Sequence, residues 1–226
     1  MMKILKLVYD NEQSNSWAIN IRKKRLALFN SLIESIPSPV NILDVGGTQT
    51  FWDTSGFFDE KMNLLRITLM NVRKVPVSRP NFNSIVGDAR DLKEFKENQF
   101  DVVFSNSVIE HVGDYNDQLQ MANEIRRVGK RYFVQTPNLY FPIEPHFVFP
   151  FFQFLPVEVK LWLITHFDLG FYQKITNKQT ALDAVTSIKL LNKKEFISLF
   201  PNARIFEEKI FGLTKSFIVY DGWDNP

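Results

Sequence analysis

Short apolar runs that stop abruptly at small or polar residues recur along the chain and set its framework. Residues 40–45 read Val-Asn-Ile-Leu-Asp-Val and end at Gly46-Gly47, the pattern of a buried parallel strand meeting a tight turn. Similar β-like runs cover 64–70, with Asn71 just beyond, 84–86, closed by Gly87-Asp88, 100–104, closed by Ser105-Asn106-Ser107, and 131–135. Residues 16–36 carry Trp17, Ile21, Leu28, Leu32 and Ile36 at helical spacings and are followed by Pro37, which predicts an amphipathic helix; 116–128 predicts another. Near the C-terminus a short helix over 193–199, stopped by Pro201, precedes two strands, 204–209 and 216–221, around Phe211-Gly212. The chain therefore closes on a hairpin.

Strands alternating with helices or loops predict an α/β protein whose mainly parallel sheet is covered on both faces, the hairpin adding antiparallel pairing at one edge. Residues 138–187 break that rhythm: Pro142, Pro145, Pro150 and Pro156 crowd the start, and many of the chain's 22 phenylalanines lie between Phe141 and Phe167. A segment this long is not an ordinary connection. It reads as an insertion that forms a lid or wall for an acceptor site, while its rings also suit the core of a small helical subdomain, a membrane-surface anchor or a dimer seam. The expectation is one domain over 1–226, with an N-terminal helical segment over 1–37 and the insertion over 138–187.

Composition narrows the function. A formal charge of +2 gives too weak a field to attract nucleic acid, and zero cysteines exclude disulfides and thiolate chemistry and fit a cytoplasmic location. The greasy stretch 147–157 is only 11 residues long and holds two prolines, against roughly 20 residues for a membrane span. Residues 1–10, broken by Lys3 and Lys6, do not read as a signal peptide. The run Arg22, Lys23, Lys24, Arg25 reads as a solvated helix face.

Ligands of open α/β sheets bind at the carboxyl ends of the strands, where loops and free N–H groups converge. Here those ends offer Asp44-Val45-Gly46-Gly47, Asn71, Gly87-Asp88-Ala89, Ser105-Asn106 and Thr136-Pro137-Asn138, a set suited to a polar, hydroxyl- and amine-bearing cofactor. Ile42-Leu43-Asp44-Val45-Gly46-Gly47, Gly87-Asp88-Ala89-Arg90-Asp91-Leu92 and the run from Phe100 through Ser105-Asn106-Ser107 to Glu110-His111-Val112 resemble, in order and spacing, the class I S-adenosylmethionine-dependent methyltransferases. The resemblance covers about 40–138 and, more faintly, 190–219. It implies a Rossmann-like, doubly wound, mixed seven-stranded sheet and S-adenosylmethionine as cofactor. By position, Asp44, Gly46 and Gly47 would lie beside the methionine part, Asn71 at the ribose hydroxyls where the family usually has an acid, Asp88 and Ala89 at the adenine, and Ser105 and Asn106 under the sulfonium.

Two departures stand out: Asn71 replaces an acid, and Gly46-Gly47 continues as Thr48-Gln49-Thr50 rather than with further glycines. They keep open a rival reading, a non-catalytic Rossmann-like binding or regulatory module. The favoured function is methyl transfer to an oxygen or nitrogen of a small, lipid- or sugar-linked acceptor, with His111 or His146 as the base, since histidine takes a proton near neutral pH. His166, among Trp162, Ile164 and Phe167, reads as packing or an exposed helix residue. No pair of histidines has the spacing that places two ligands on one helical face, so no metal is expected. The partners implied are a small-molecule, lipid or glycan acceptor, with peripheral membrane contact and homodimer formation left open.

Overall fold

The computed structural model describes residues 17–54 and 62–223; the predicted start of the first helix at Ser16 and the 1–10 segment lie outside them. In chain order the elements are α1 (Trp17–Ile33), β1 (Val40–Val45), α2 (Gln49–Asp53), β2 (Leu65–Asn71), β3 (Phe82–Val86), β4 (Val102–Asn106), a 3-10 turn (Ile109–His111), α3 (Tyr115–Val128) and β5 (Tyr132–Pro137). The insertion supplies β6 (Ile143–Glu144), β7 (Phe149–Pro150), a 3-10 turn (Phe152–Phe154), α4 (Val157–His166) and α5 (Lys178–Thr186). Then come α6 (Lys193–Leu199), β8 (Arg204–Ile210) and β9 (Leu213–Asp221).

Seven strands form one sheet in the order β3-β2-β1-β4-β5-β9-β8, parallel except for β9, which pairs antiparallel with both β5 and β8. The order reverses between β1 and β4, so the crevice where ligands bind in such sheets opens beside the ends of these two strands. Alternate residues of the central strands feed two cores. Ile42, Ile67 and Phe104 join Phe29 of α1 and Trp52 of α2 on one face; Leu43, Val103 and Val134 join Ile125 of α3 and Phe196 of α6 on the other. Phe29 is the hub of the first core, its ring centroid 4.8 Å from Phe104, 5.1 Å from Phe133 and 6.0 Å from Trp52.

Within the insertion the phenylalanines divide their roles. Phe147 stacks on Phe152 at 4.1 Å and on Tyr172 at 4.8 Å, and with Ile164, Ala181 and Val185 they form a small core between α4 and α5. Phe151, Phe154, Trp162, Phe167 and Phe171 remain exposed. The insertion is tied back to the body where Lys189 N–H donates to Glu110 O at 2.8 Å and Gln118 Nε2 donates to Lys189 O at 2.8 Å. Among the described residues no helix is long and apolar enough to cross a membrane.

The inner stripe of α1 is Ile21, Arg25, Phe29 and Ile33, one residue in four, and Leu28 and Leu32 are only partly buried. Arg25 is thus carried inside, against the expectation of a solvated basic face; Lys23 and Lys24 are the exposed members of the run. Its guanidinium forms a two-pronged pair with Glu208 of β8, with Nε donating to Oε1 at 2.9 Å, and Nη1 donates to Asn106 Oδ1 and, at 3.2 Å, to Gln135 Oε1. Ser216 Oγ also donates to Glu208. A buried charge that loses its partner is costly, whereas loss of both is far cheaper. Glu208→Leu is expected to lower stability by about 3–5 kcal/mol in urea unfolding, and the double variant Arg25→Met/Glu208→Leu to recover most of that loss.

Candidate active site

The turn after β1 shapes the first cavity. Gly46 holds φ +81°, donates its N–H to Met70 O at 2.8 Å, and passes so close to Val108 that an added Cβ would lie 2.4 Å from that side chain. Thr48 then caps α2, its hydroxyl oxygen accepting from Phe51 N–H, so the helix starts where a longer glycine motif would have continued. The cavity encloses about 360 Å3 and is walled by Gly46, Asn71, Gly87, Asp88, Ala89, Arg90, Ser107, Val108 and His111. Asn71 Nδ2 donates to Gly47 O at 2.8 Å, which leaves the amide oxygen as the acceptor presented to a ligand. Asp88 is gripped by Arg90, with Nη2 2.6 Å from Oδ2, and the hydrogen bonds from Arg90 hold its pKa below the usual carboxylate value.

Asp44 stands behind this wall, 1% exposed, accepting from Trp52 Nε1 at 2.7 Å through Oδ2 while Oδ1 has no partner. A Cβ on Gly47 would lie 1.7 Å from the Asp44 carboxylate, so Asp44 braces the glycine turn instead of lining the cavity. Ser105 is fully buried, its hydroxyl without a partner, and lines neither cavity. The reason is strand length: β4 runs through Asn106, two residues past the apolar run, and Ser107 becomes the first loop residue, at φ +54° with Oγ donating to Gln135 Oε1 at 2.8 Å.

A second cavity, also about 360 Å3, opens across the same loop. Asn106 faces this side, together with Gln135 and, from the insertion, Pro145, His146 and Phe171. Arg22, Arg25 and Lys215 line it as well, and no carboxylate does among the described residues. Burial, then the charges of Arg25 and Arg22, pushes the Lys215 pKa down to about 8, and burial followed by Arg25 lowers that of Arg22. Ser107 and His111 belong to both cavities.

The two candidate histidines meet at this junction. His111 Nε2 lies 3.1 Å from His146 Nε2, with the rings nearly perpendicular. On its far side His146 Nδ1 is 2.7 Å from Glu144 Oε1, and Glu144 Oε2 accepts from the N–H groups of His146 and Phe147 at 2.8 and 2.7 Å. Burial opposes a charge on His146, but the hydrogen bond and charge of Glu144 outweigh it and raise the pKa. His111 is exposed as a residue, yet the packing around its ring desolvates it and, together with the charge of His146, pushes its pKa down to about 4. Glu110 is fully buried, with Oε2 accepting from Thr136 Oγ1 at 3.1 Å, Oε1 without a partner, and a pKa raised by burial to about 7. Glu110, His111 and His146 bring one potential ligand atom each to within 4.8 Å of one another. The three come from the 3-10 turn after β4 and from the insertion, a proximity that histidine spacing along the chain does not report. His166 sits exposed on α4, stacked on Trp162, and lines neither cavity.

Comparison with known proteins bears on this arrangement. Residues 58–132 match the family model described as "Methyltransferase domain". That match covers a third of the chain. Among solved structures, the CurJ carbon methyltransferase superposes with a TM-score of 0.55 at 8% identity, covering 97% of this chain and 57% of that one, a likeness of fold. A SAM-dependent methyltransferase of Methanosarcina mazei is 12% identical, with a TM-score of 0.47 over 85% of this chain and 95% of that one. The uncharacterized protein Rv1509 of Mycobacterium tuberculosis is 38% identical over 56 residues, 25% of this chain. The match spans only 19% of that protein's length.

The buried Asp44 has a pH signature. Its pKa rises on folding from 3.8 to about 7, chiefly by desolvation, so its ionisation opposes folding. That penalty is absent below about pH 4, grows as pH rises to 7 and is then complete, on the order of 4 kcal/mol. Asp44→Asn is expected to remove it: unfolding measured from pH 4 to 8 should show the variant gaining stability relative to the native chain as pH rises.

Proposed function

We propose that this protein transfers a methyl group from S-adenosylmethionine to an oxygen or nitrogen of a small acceptor, free or lipid- or sugar-linked. The observation behind this reading is that two cavities of ligand size meet at Ser107 and His111. Methyl transfer requires two ligands whose reacting atoms meet in line within a confined space.

The first cavity suits the cofactor. Gly46 brings its backbone close without a Cβ, the Asn71 oxygen accepts from a ribose hydroxyl, and Asp88 and Ala89 lie on the adenine side. Asp44 and Gly47 hold the turn, Ser105 packs beneath the floor, and Asn106 faces the acceptor rather than the sulfonium. When bound, S-adenosylmethionine would supply a methyl carbon activated by its positive sulfur for an acceptor lone pair. The acceptor's proton leaves at the paired histidines, with His146 oriented by Glu144 and His111 facing both ligands. Arg22 and Lys215 line the acceptor side of this junction.

Calorimetric titration with S-adenosylmethionine and S-adenosylhomocysteine tests the cofactor half. Micromolar binding is expected, lost in Gly46→Val, whose side chain would collide with Val108, and weakened in Asp88→Ala. No binding by the folded protein would favour the binding-module reading, to which the Arg90 clamp on Asp88 lends support.

A further inference from the structure

We propose that Glu110, His111 and His146 form a two-histidine, one-carboxylate site for a divalent first-row metal ion, zinc or manganese, beside the second cavity. The three ligand atoms lie within 4.8 Å of one another, and the two imidazole Nε2 atoms face each other at 3.1 Å. Two nitrogens bound to one tetrahedral zinc at about 2.0–2.1 Å stand about 3.3 Å apart, close to the 3.1 Å between the two Nε2 atoms, so the imidazoles are in place and the Glu110 carboxylate completes the set by a shift toward them. The outer contacts of a metal-binding histidine are also present. Glu144, itself buried, takes the His146 Nδ1 proton at 2.7 Å and is locked by two backbone N–H groups, which leaves the Nε2 lone pair directed at the site.

The independent observation is Glu110. Its carboxylate is fully buried, yet Oε1 has no partner, an arrangement that burial penalises unless a cation or donor completes it. A cation shared with two imidazoles supplies that partner. Because His111 and His146 both line the second cavity, open coordination positions would face the acceptor. A hydroxyl bound there would lose its proton to water more readily, and the imidazoles would serve as ligands instead of proton acceptors. This consequence rests on the methyl-transfer reading, whereas the binding of metal does not.

The test is made on the full chain, stripped with chelator and titrated with zinc chloride or manganese chloride in the absence of cofactor and acceptor. One ion per chain is expected, with Glu110→Gln and His146→Asn each weakening affinity at least tenfold and His166→Ala leaving it unchanged. Cobalt(II) added to the native chain should give visible absorption that zinc displaces, a readout needing no variant. Circular dichroism and S-adenosylhomocysteine titration report separately whether each variant folds and whether the cofactor reading holds. Absence of stoichiometric binding and of cobalt absorption, or binding indifferent to Glu110→Gln and His146→Asn in folded protein, would overturn the site and leave a histidine–histidine hydrogen bond only.

Discussion

The guanidinium of Arg25 joins parts of the fold that would otherwise meet only through apolar contact. From α1 it reaches Glu208 on β8, Asn106 at the end of β4 and Gln135 on β5, and Gln135 in turn accepts from Ser107. An ion pair so enclosed contributes little net stability compared with apolar packing, but its geometry is demanding, because each of its donors needs its own acceptor. That demand fixes the rotation of α1 on the sheet. It also sets the shape of the second cavity, since Ile21, Arg22 and Arg25 come from consecutive turns of this helix.

Around the strand ends several polar groups are held without full compensation. Asp44 Oδ1, Ser105 Oγ and Glu110 Oε1 are all buried without a hydrogen-bond partner. Interiors rarely leave such groups unpaired, and their concentration beside the two cavities stores free energy that bound ligands or ions can release. Ser107, at φ +54°, adds a strained backbone position at the same place. The loop from Ser107 to His111 is therefore both partition and meeting point: its first and last residues line both cavities, and its Val108 presses on the glycine turn.

The insertion has a core of its own and a face on the second cavity. Phe147 and Phe152 make a small core that holds the segment rigid, and Pro145, His146 and Phe171 present that rigidity to the second cavity. Glu144 and His146 sit two residues apart on either side of Pro145, and the Glu144 carboxylate grips backbone N–H groups of the turn that follows. Side chains on so constrained a turn keep their positions with little entropic cost on ligand binding.

Periodicity alone determined the α/β class, the strand order's raw material, the closing hairpin and the glycine turn after β1, because each depends on residues close in the chain. Strand-end position marked Asn71 and Asp88 for the same reason, and histidine chemistry in the segments after the fourth and fifth strands marked His111 and His146. What only the tertiary structure decided depends on contacts across the chain. The stripe Ile21, Arg25, Phe29, Ile33 was present in the spacing, yet a cationic run normally faces water, and only an acid 183 positions away explains why Arg25 does not. Likewise, the two-residue extension of β4 moved Ser105 inside and Ser107 to the junction. The cluster of Glu110, His111 and His146 joins two loops held by different strands, and no spacing along the chain measures that distance.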